Sequence, residues 1–200
     1  MATYQFQGQD IVAPFRITSN EPALSTDSIT LRVRRVTQGA QRWELDFGVV
    51  MEDASSYLAD MVSTFNETVQ MEMPQLNVRG ETISSGTSTT AITTAGTGNV
   101  GNTTAVSVTG ANGTIKKGRF VKFSDHDKVY LVIADFTGTG NISLYPSLRQ
   151  NVVAGTTLLY RDGTDAITFT AFRDIDNQAG ITFVDGILSD GGSITLIEAL

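Results

Sequence analysis

The chain contains no cysteine and a single histidine among its 200 residues. The missing thiols exclude disulfides, thiolate metal sites and cysteine nucleophiles. Basic residues are also scarce, since 14 lysines and arginines stand against 21 acidic residues and leave a net charge of −7. No apolar run approaches the roughly 20 residues that span a bilayer, and the first residues lack the basic start and apolar segment of a secretory signal. We therefore expect no binding to membranes and, because phosphate attraction needs a basic surface, none to nucleic acid.

Charge is absent from one long stretch, Thr82–Ile115, in which 21 of the 33 residues up to Thr114 are Ser, Thr or Gly. The first part of the stretch, to about Thr104, is typical of a flexible or loosely ordered connection. A patterned unit of strands and one helix precedes it, and a series of short strands follows it. This change of texture predicts two domains, one formed by 1–80 and 165–200 and the other an insertion formed by 81–164.

Two runs near the N-terminus, Ser28–Val36 and Arg42–Val50, alternate apolar and polar residues, which predicts half-buried strands. We expect these strands to pair antiparallel, with basic side chains of the first opposite acidic side chains of the second on the outward face. Outward arginines on adjacent strands suit a subunit interface, and a merely solvated face stays the alternative. The candidate interface residues are Arg32, Arg34, Arg42, Glu44 and Asp46.

A helix is predicted after the second of these strands. Asp53 is a suitable N-cap, and apolar residues then recur at spacings of three and four as far as Phe65. This stripe predicts a helix of about three turns that packs on the sheet and stops near Asn66. The next run, Thr68–Met73, returns to a period of two, so we expect another strand there, ended by Pro74.

The second half of the chain has the pattern of short strands separated by turn residues, with turns expected at Ser124–Asp127, at Gly138–Gly140 and over 146–155. Spacing of this kind predicts a small closed barrel of OB or SH3-like type. The strands expected in it are Ala105–Thr109, Arg119–Phe123, Lys128–Ile133, Asn141–Leu144 and Thr156–Tyr160.

Three longer alternating runs close the chain, and we expect them to complete the sheet of the first domain. They are Ala166–Phe172, Gly180–Val184 and Ser193–Ile197. The expected fold class is therefore mainly β: a β-sandwich or barrel domain with one helix, plus a small OB-like β-barrel insertion.

The side chains that carry chemistry do not form a recognisable site. His126 lies between Asp125 and Asp127, but a zinc site needs three or four protein ligands and a hydrolytic triad needs a base beside a nucleophile, so we favour a polar turn. Adjacent carboxylates are more typical of a solvated surface than of a glycosidase dyad. We expect no catalytic residue, metal site or cofactor, and no enzyme; a wall hydrolase is the rival hypothesis. Its candidate acidic pairs are Glu44/Asp46, Glu52/Asp53 and Asp174/Asp176.

The run KKGRFVKFSDHDKVYLV, Lys116–Val132, and the run NISLYPSL, Asn141–Leu148, carry a family resemblance. Together they resemble the distal tail proteins of long-tailed bacteriophages, in particular those with an OB-like domain. The strand Arg42–Val50 followed by a helix is also similar to the first domain of that family. The matching motif residues are Lys116, Gly118, Lys122, Phe123, Ser124, His126, Lys128, Val129, Tyr130, Leu144, Tyr145, Pro146 and Leu148.

The resemblance implies a structural virion protein at the distal end of the tail. Such a protein forms a ring with itself, commonly a hexamer, and joins the tail tube protein to the baseplate hub or tail-fibre proteins. The first domain makes the ring, the OB-like domain decorates its outside, and none of the motif residues is catalytic in the family.

A carbohydrate-binding module or adhesin of the tail is the alternative function, because OB-like barrels also bind sugars. That function requires aromatic side chains exposed on the barrel. The candidates are Phe120, Tyr130 and Tyr145.

Overall fold

The computed structural model describes residues 5–27, 33–37, 40–50, 54–75, 93–94, 103–160, 167–174, 176, 182–184, 187–190 and 192–200. This part of the chain is mainly β with one helix, which confirms the predicted fold class. The chain divides into two compact units: unit 1 comprises 1–70 and 171–199, and unit 2 comprises 71–170 and Leu200. The predicted domain boundaries at 80/81 and 164/165 stay a prediction.

The elements of the described residues are numbered in chain order. They are β1 (Gln5–Phe6), β2 (Gln9–Asn20), β3 (Ala23–Asp27), β4 (Val33–Thr37), β5 (Arg42–Val50), α1 (Ala54–Ser63), β6 (Val69–Glu72), β7 (Thr93–Thr94), β8 (Ala105–Ile115), β9 (Phe120–Phe123), β10 (Val129–Val132), β11 (Phe136–Tyr145), β12 (Leu158–Leu159), β13 (Thr168–Arg173), β14 (Thr182–Val184), β15 (Ile187–Asp190) and β16 (Ser193–Glu198).

Unit 1 is built around a six-stranded sheet with the strand order β1-β2-β5-β16-β13-β6. In β5 every second side chain is buried, and the members of this buried face are Trp43, Leu45, Phe47 and Val49. The predicted helix is confirmed as α1, and its Tyr57 and Met61 are buried one turn apart. The predicted strand after it is confirmed as β6. Asp53, the predicted N-cap, lies outside the described residues.

The predicted pairing of the strands around 28–36 and 42–50 is wrong. β5 pairs antiparallel with β2 along one edge and with β16 along the other, so both of its edges are taken. β4 pairs instead with β3, which sets Arg34 opposite Thr26. The alternation predicted which side chains of each strand share a face, but the same alternation fits any neighbouring strand.

The last strands of the chain are arranged only partly as predicted. β13 and β16 pair antiparallel with each other, and β16 pairs with β5, so both join the sheet of unit 1. The third element, β14, pairs instead with β15 in a separate two-stranded sheet, and for it the prediction is wrong. β15 follows β14 almost at once in the sequence, and closing so short a loop costs less entropy than reaching a distant strand.

Unit 2 contains a second, curled six-stranded sheet with the order β12-β9-β10-β11-β8-β7. Its five predicted strands are present, with β8 and β11 longer than expected. The turn predicted at Gly138–Gly140 is wrong, because these residues lie inside β11. The ladder with β8 shifts register on both sides of Gly138, and the φ angles of Gly138 and Gly140 are 76° and 147°. Glycine accommodates such an irregularity without ending the strand.

Candidate functional site

The sheet of unit 1 presents an outer face opposite its buried core. Arg42, Glu44 and Asp46 share this face because they alternate with the buried residues of β5; Arg42 is exposed and the two acids are half-buried. Three of the five predicted interface residues are therefore brought together. Arg34 lies on β4 in a separate two-stranded sheet, and Arg32 lies outside the described residues.

The acidic side chains of the outer face are held by neighbouring strands. Asn20 Nδ2 donates a hydrogen bond of 2.7 Å to Glu44 Oε1, and Thr195 Oγ1 donates one of 2.8 Å to Asp46 Oδ1. Arg16 is the β2 residue paired in register with Asp46, in the place where a basic residue of 28–36 was expected. Arg16 is not among the interface residues predicted from the sequence, and the signal that could have identified it is the extended run Gln9–Asn20.

Three large apolar side chains on the outer face are exposed. They are Val12, Val50 and Phe172, with exposed fractions of 37%, 48% and 46%. Phe172 pairs in register with Ile197, and Ile197 pairs with Glu44. These apolar residues therefore lie next to the charged residues of β5 on the same face of the sheet. Aromatic residues and arginine are enriched at protein interfaces, and this face exposes Phe172, Arg16 and Arg42.

In unit 2 the predicted polar turn at 124–127 is confirmed, and it is tied to the core through His126. His126 Nδ1 lies 2.8 Å from Asp125 Oδ1, and Nε2 lies 2.9 Å from the hydroxyl of the fully buried Tyr130. Because a carboxylate only accepts, Nδ1 donates to Asp125, and in the tautomer with its hydrogen on Nδ1 the other nitrogen, Nε2, accepts from the tyrosine O–H. The tyrosine oxygen then remains free to accept the Arg149 N–H at 3.2 Å.

Asp125 extends this network to the segment before β12. Its second oxygen, Oδ2, accepts a hydrogen bond of 3.3 Å from Val153 N and one of 3.2 Å from Thr156 Oγ1. Every polar atom of the Asp125–His126–Tyr130 network therefore has a partner, and the histidine joins a turn to a buried strand. This arrangement supports the interpretation of the motif as scaffold rather than as an acid–base site.

Lys122 is a further buried charge of the motif. Its side chain is 9% exposed, and Nζ donates to Asp127 Oδ1 at 2.8 Å and to Thr168 O at 2.9 Å. Thr170 Oγ1 adds a weaker bond of 3.3 Å to the same carboxylate oxygen. The hydrogen bond from Lys122 holds the pKa of Asp127 below its usual range, against the smaller opposing effect of burial.

The lowered pKa of Asp127 makes the stability of unit 2 pH-dependent. The carboxylate contributes its full stabilisation above the unfolded pKa of about 3.9 and loses it as the pH falls through the lower folded pKa. We expect the stability difference between wild type and Asp127→Asn to stay constant near neutral pH and to shrink below about pH 4. Urea denaturation at a series of pH values, followed by circular dichroism, measures this difference. A gap that is unchanged down to the acid limit would contradict the expectation.

Other motif residues also have structural roles. Gly118 has a φ angle of 96°, a backbone conformation that residues with a side chain rarely adopt. In this conformation its N–H donates a hydrogen bond of 2.8 Å to Val132 O.

Phe120 and Tyr130 are buried at 2% and 0% exposure, and Tyr145 is half-buried. The aromatic faces that the glycan-binding alternative needs are therefore enclosed in the core at two of the three candidate positions.

Arg173 is a buried charge that the sequence analysis missed. It is 6% exposed, Nη1 lies 3.3 Å from Met61 Sδ, and Nη2 lies 3.4 Å from Thr64 Oγ1. The guanidinium carbon lies 5.4 Å from the centre of the Phe65 ring, a cation–π arrangement. Burial lowers the pKa of Arg173, and the Tyr57 hydroxyl partly offsets this. Among the described residues no carboxylate forms an ion pair with Arg173.

Because Arg173 has no carboxylate partner in the described residues, its charge is costly to bury. We expect Arg173→Met to leave the free energy of unfolding within about 1 kcal/mol of wild type or to raise it. Arg173→Ala, which also leaves a cavity, should be roughly 2 kcal/mol less stable than Arg173→Met. Guanidinium denaturation followed by Trp43 fluorescence measures both variants. A large loss in Arg173→Met would show that the charge itself stabilises unit 1.

The acidic pairs of the hydrolase hypothesis have different environments. Glu44 and Asp46 hold the outer-face hydrogen bonds described above, and Glu52/Asp53 lie outside the described residues. Asp174 Oδ1 accepts the N–H of Asp176 at 3.2 Å, which closes a local turn. Within the described ranges no three or more His, Asp or Glu side chains lie together as a metal site would require.

No helix in the described part of the chain has the length and apolar character needed to cross a membrane. In comparisons with known proteins, neither a protein-family profile nor a curated protein matches this chain.

Proposed function

We propose that this chain is a non-enzymatic structural protein of a bacteriophage particle, located at the distal end of the tail. It forms a ring with itself, commonly a hexamer, and joins the tail tube protein to the baseplate hub or tail-fibre proteins. The observation that carries the proposal is the outer face of unit 1, where exposed apolar side chains stand beside charges of both signs.

The outer face has the chemistry of a contact between copies. Phe172, Val50 and Val12 offer apolar area, and Arg16 and Arg42 stand beside Glu44 and Asp46. Charges of both signs on one rigid sheet fix orientation between partners more than they add affinity. A contact between this face and a different surface of the next copy is head-to-tail, and such contacts form rings when the rotation closes.

The motif of Lys116–Leu148 supports the proposal through the fold of unit 2. Its polar members Lys122 and His126 hold the turn at 124–127 through Asp127 and Asp125, and most of its apolar members are buried. Such residues stabilise the fold of a domain and are not arranged for a reaction. This is what we expect of an adaptor between the tail tube and the baseplate.

The location is tested on phage particles from the source of the chain. We expect mass spectrometry of intact, purified particles to detect the chain and immunogold electron microscopy to place label at the tail end alone. Label on the capsid would contradict the proposal, label along fibres would favour the adhesin alternative, and absence from all particles would overturn both.

The interface is tested separately, and the absence of cysteine makes a single introduced thiol specific. We label Asp46→Cys, on the outer face, with benzophenone maleimide and irradiate the assembled particles. The expected product is a series of crosslinked oligomers, the largest of which contains as many copies as the ring. The matched control is Val153→Cys in unit 2, at a side chain that is 68% exposed and outside the outer face. An equal series of oligomers from both variants would contradict the assignment of the outer face.

A further inference from the structure

The helix α1 presents a second exposed apolar surface in unit 1. Leu58 and Val62 are four residues apart, so they lie side by side on one flank of the helix. They are 42% and 70% exposed. Single exposed apolar residues are ordinary, but two that adjoin on a helix of ten residues form a small apolar patch.

The rest of the solvent side of α1 is small and acidic. Ala59 and Ser63 are exposed beside the apolar flank, and Asp60 is exposed on the opposite flank. Small side chains in the middle allow another surface to approach the helix closely. No lysine or arginine occurs in 54–70, so the charge on this side of unit 1 is negative.

The helix and the outer face lie on opposite sides of the sheet. Arg173 Nη1 lies 3.3 Å from Met61 Sδ, which places the buried side of α1 against the inner side of β13. Phe172 is the next residue of the same strand, so its side chain points to the outer side. Unit 1 therefore has two different exposed surfaces that face in opposite directions.

The outer face has the width and the charge to receive α1. Phe172 on β13 and Arg16 on β2 lie three strands apart, with β16 and β5 between them. At about 4.8 Å per strand this is about 14 Å, slightly more than the 10–12 Å diameter of a helix with its side chains. Arg16 is exposed and forms no ion pair with the described residues.

The acids of the outer face do not compete for an incoming carboxylate. Glu44 and Asp46 already accept hydrogen bonds from Asn20 and Thr195. Arg16 is therefore the charge of this face that is available to a partner, and its sign is opposite to that of α1.

We propose that the solvent side of α1 packs against the outer face of the next copy of the chain. Leu58 and Val62 contact Phe172 of that copy, and Asp60 pairs with its Arg16. The inference rests on the proposed ring, for which it names the second surface. Contact between two outer faces would be two-fold and stop at a dimer, whereas two different surfaces on opposite sides repeat around a ring.

The contact is tested in assembled particles with Val62→Cys labelled with benzophenone maleimide. After irradiation we expect crosslinked oligomers, in which mass spectrometry joins the label to the tryptic peptide 162–173 of a second copy, the peptide that contains Phe172. The matched control is Val153→Cys, since Val62 and Val153 are 70% and 68% exposed. The control should not form this link.

The outcomes separate this inference from the proposed function. If Asp46→Cys forms oligomers and Val62→Cys does not, or if Val62→Cys links to another peptide or another tail protein, the α1 contact is wrong and the ring stands. If neither variant forms oligomers in particles that contain the chain, the ring itself is wrong. Absence of the chain from all particles overturns both.

A charge reversal tests the ion pair across the contact. In the labelled Val62→Cys chain, Asp60→Arg places like charges together, and we expect it to lower the yield of oligomers about tenfold. Adding Arg16→Asp should restore the yield, and circular dichroism should show the same fold for all variants. An unchanged yield in Asp60→Arg, or a loss that Arg16→Asp does not restore, would overturn the pairing.

Discussion

Replacing Phe47 by alanine is expected to lower the free energy of unfolding by about 3–5 kcal/mol. Phe47 is 1% exposed on β5, and its ring lies 5.4 Å from that of Phe6 and 5.7 Å from that of Phe15. The substitution removes transfer free energy, leaves a cavity and breaks both aromatic contacts. Trp43, the only tryptophan, is buried on the same strand, so its fluorescence in guanidinium reports the unfolding.

Val50→Ala is the matched control for Phe47, because it lies on the same strand but is 48% exposed on the outer face. Its effect on stability should be within about 0.5 kcal/mol. If Phe47→Ala cost as little as this control, the ring would not be part of a packed core. If Val50→Ala changed crosslinking in particles without changing stability, that result would favour the outer face as an interface.

The second large effect is expected at His126 in unit 2. His126→Ala removes the partner of Asp125 Oδ1 and that of the buried Tyr130 hydroxyl, and we expect a loss of about 2–4 kcal/mol. Tyr130→Phe removes the hydroxyl that is hydrogen-bonded to His126 Nε2 and to Arg149 N–H, with an expected loss of about 1–3 kcal/mol. Thermal and urea unfolding followed by far-ultraviolet circular dichroism measure both.

A double-mutant cycle separates a network from two independent sites. Because His126 and Tyr130 share a hydrogen bond, the double variant should lose less than the two single variants together, with a coupling of about 0.5–3 kcal/mol. Arg149 N–H should also exchange faster with solvent in Tyr130→Phe, because its hydrogen bond to the tyrosine oxygen is lost. Strict additivity would show that the hydrogen bond contributes nothing measurable.

These two predictions also bear on how the motif is interpreted. A histidine with aspartate and tyrosine partners resembles the parts of a catalytic relay, yet here the tyrosine is fully buried and already accepts a backbone N–H. From the sequence, a turn is predicted at this position by the turn preferences of Ser and Asp and by the lack of a metal-ligand set or a nucleophile. The contacts of Asp125 with Val153 and Thr156 involve residues about thirty positions later, and local preferences carry no information about them.

Local pattern was enough for the faces and the helix. The alternation in Arg42–Val50 determined that Glu44 and Asp46 lie opposite Leu45 and Phe47, because successive side chains of a strand point to opposite sides. The apolar spacing after Asp53 determined α1 in the same way. These features depend on neighbours within a few residues, so the sequence alone contains them.

Strand neighbours and the burial of charge were decided by the tertiary structure. Any alternating strand can pair with β5, and long-range packing selected β2 and β16 over the run that holds Arg34. In β13 the pairing with β16 leaves Phe172 exposed on the outer face and buries Arg173. Hydropathy alone predicts the reverse, but a strand joins a sheet in one register, and that register assigns every side chain to its face.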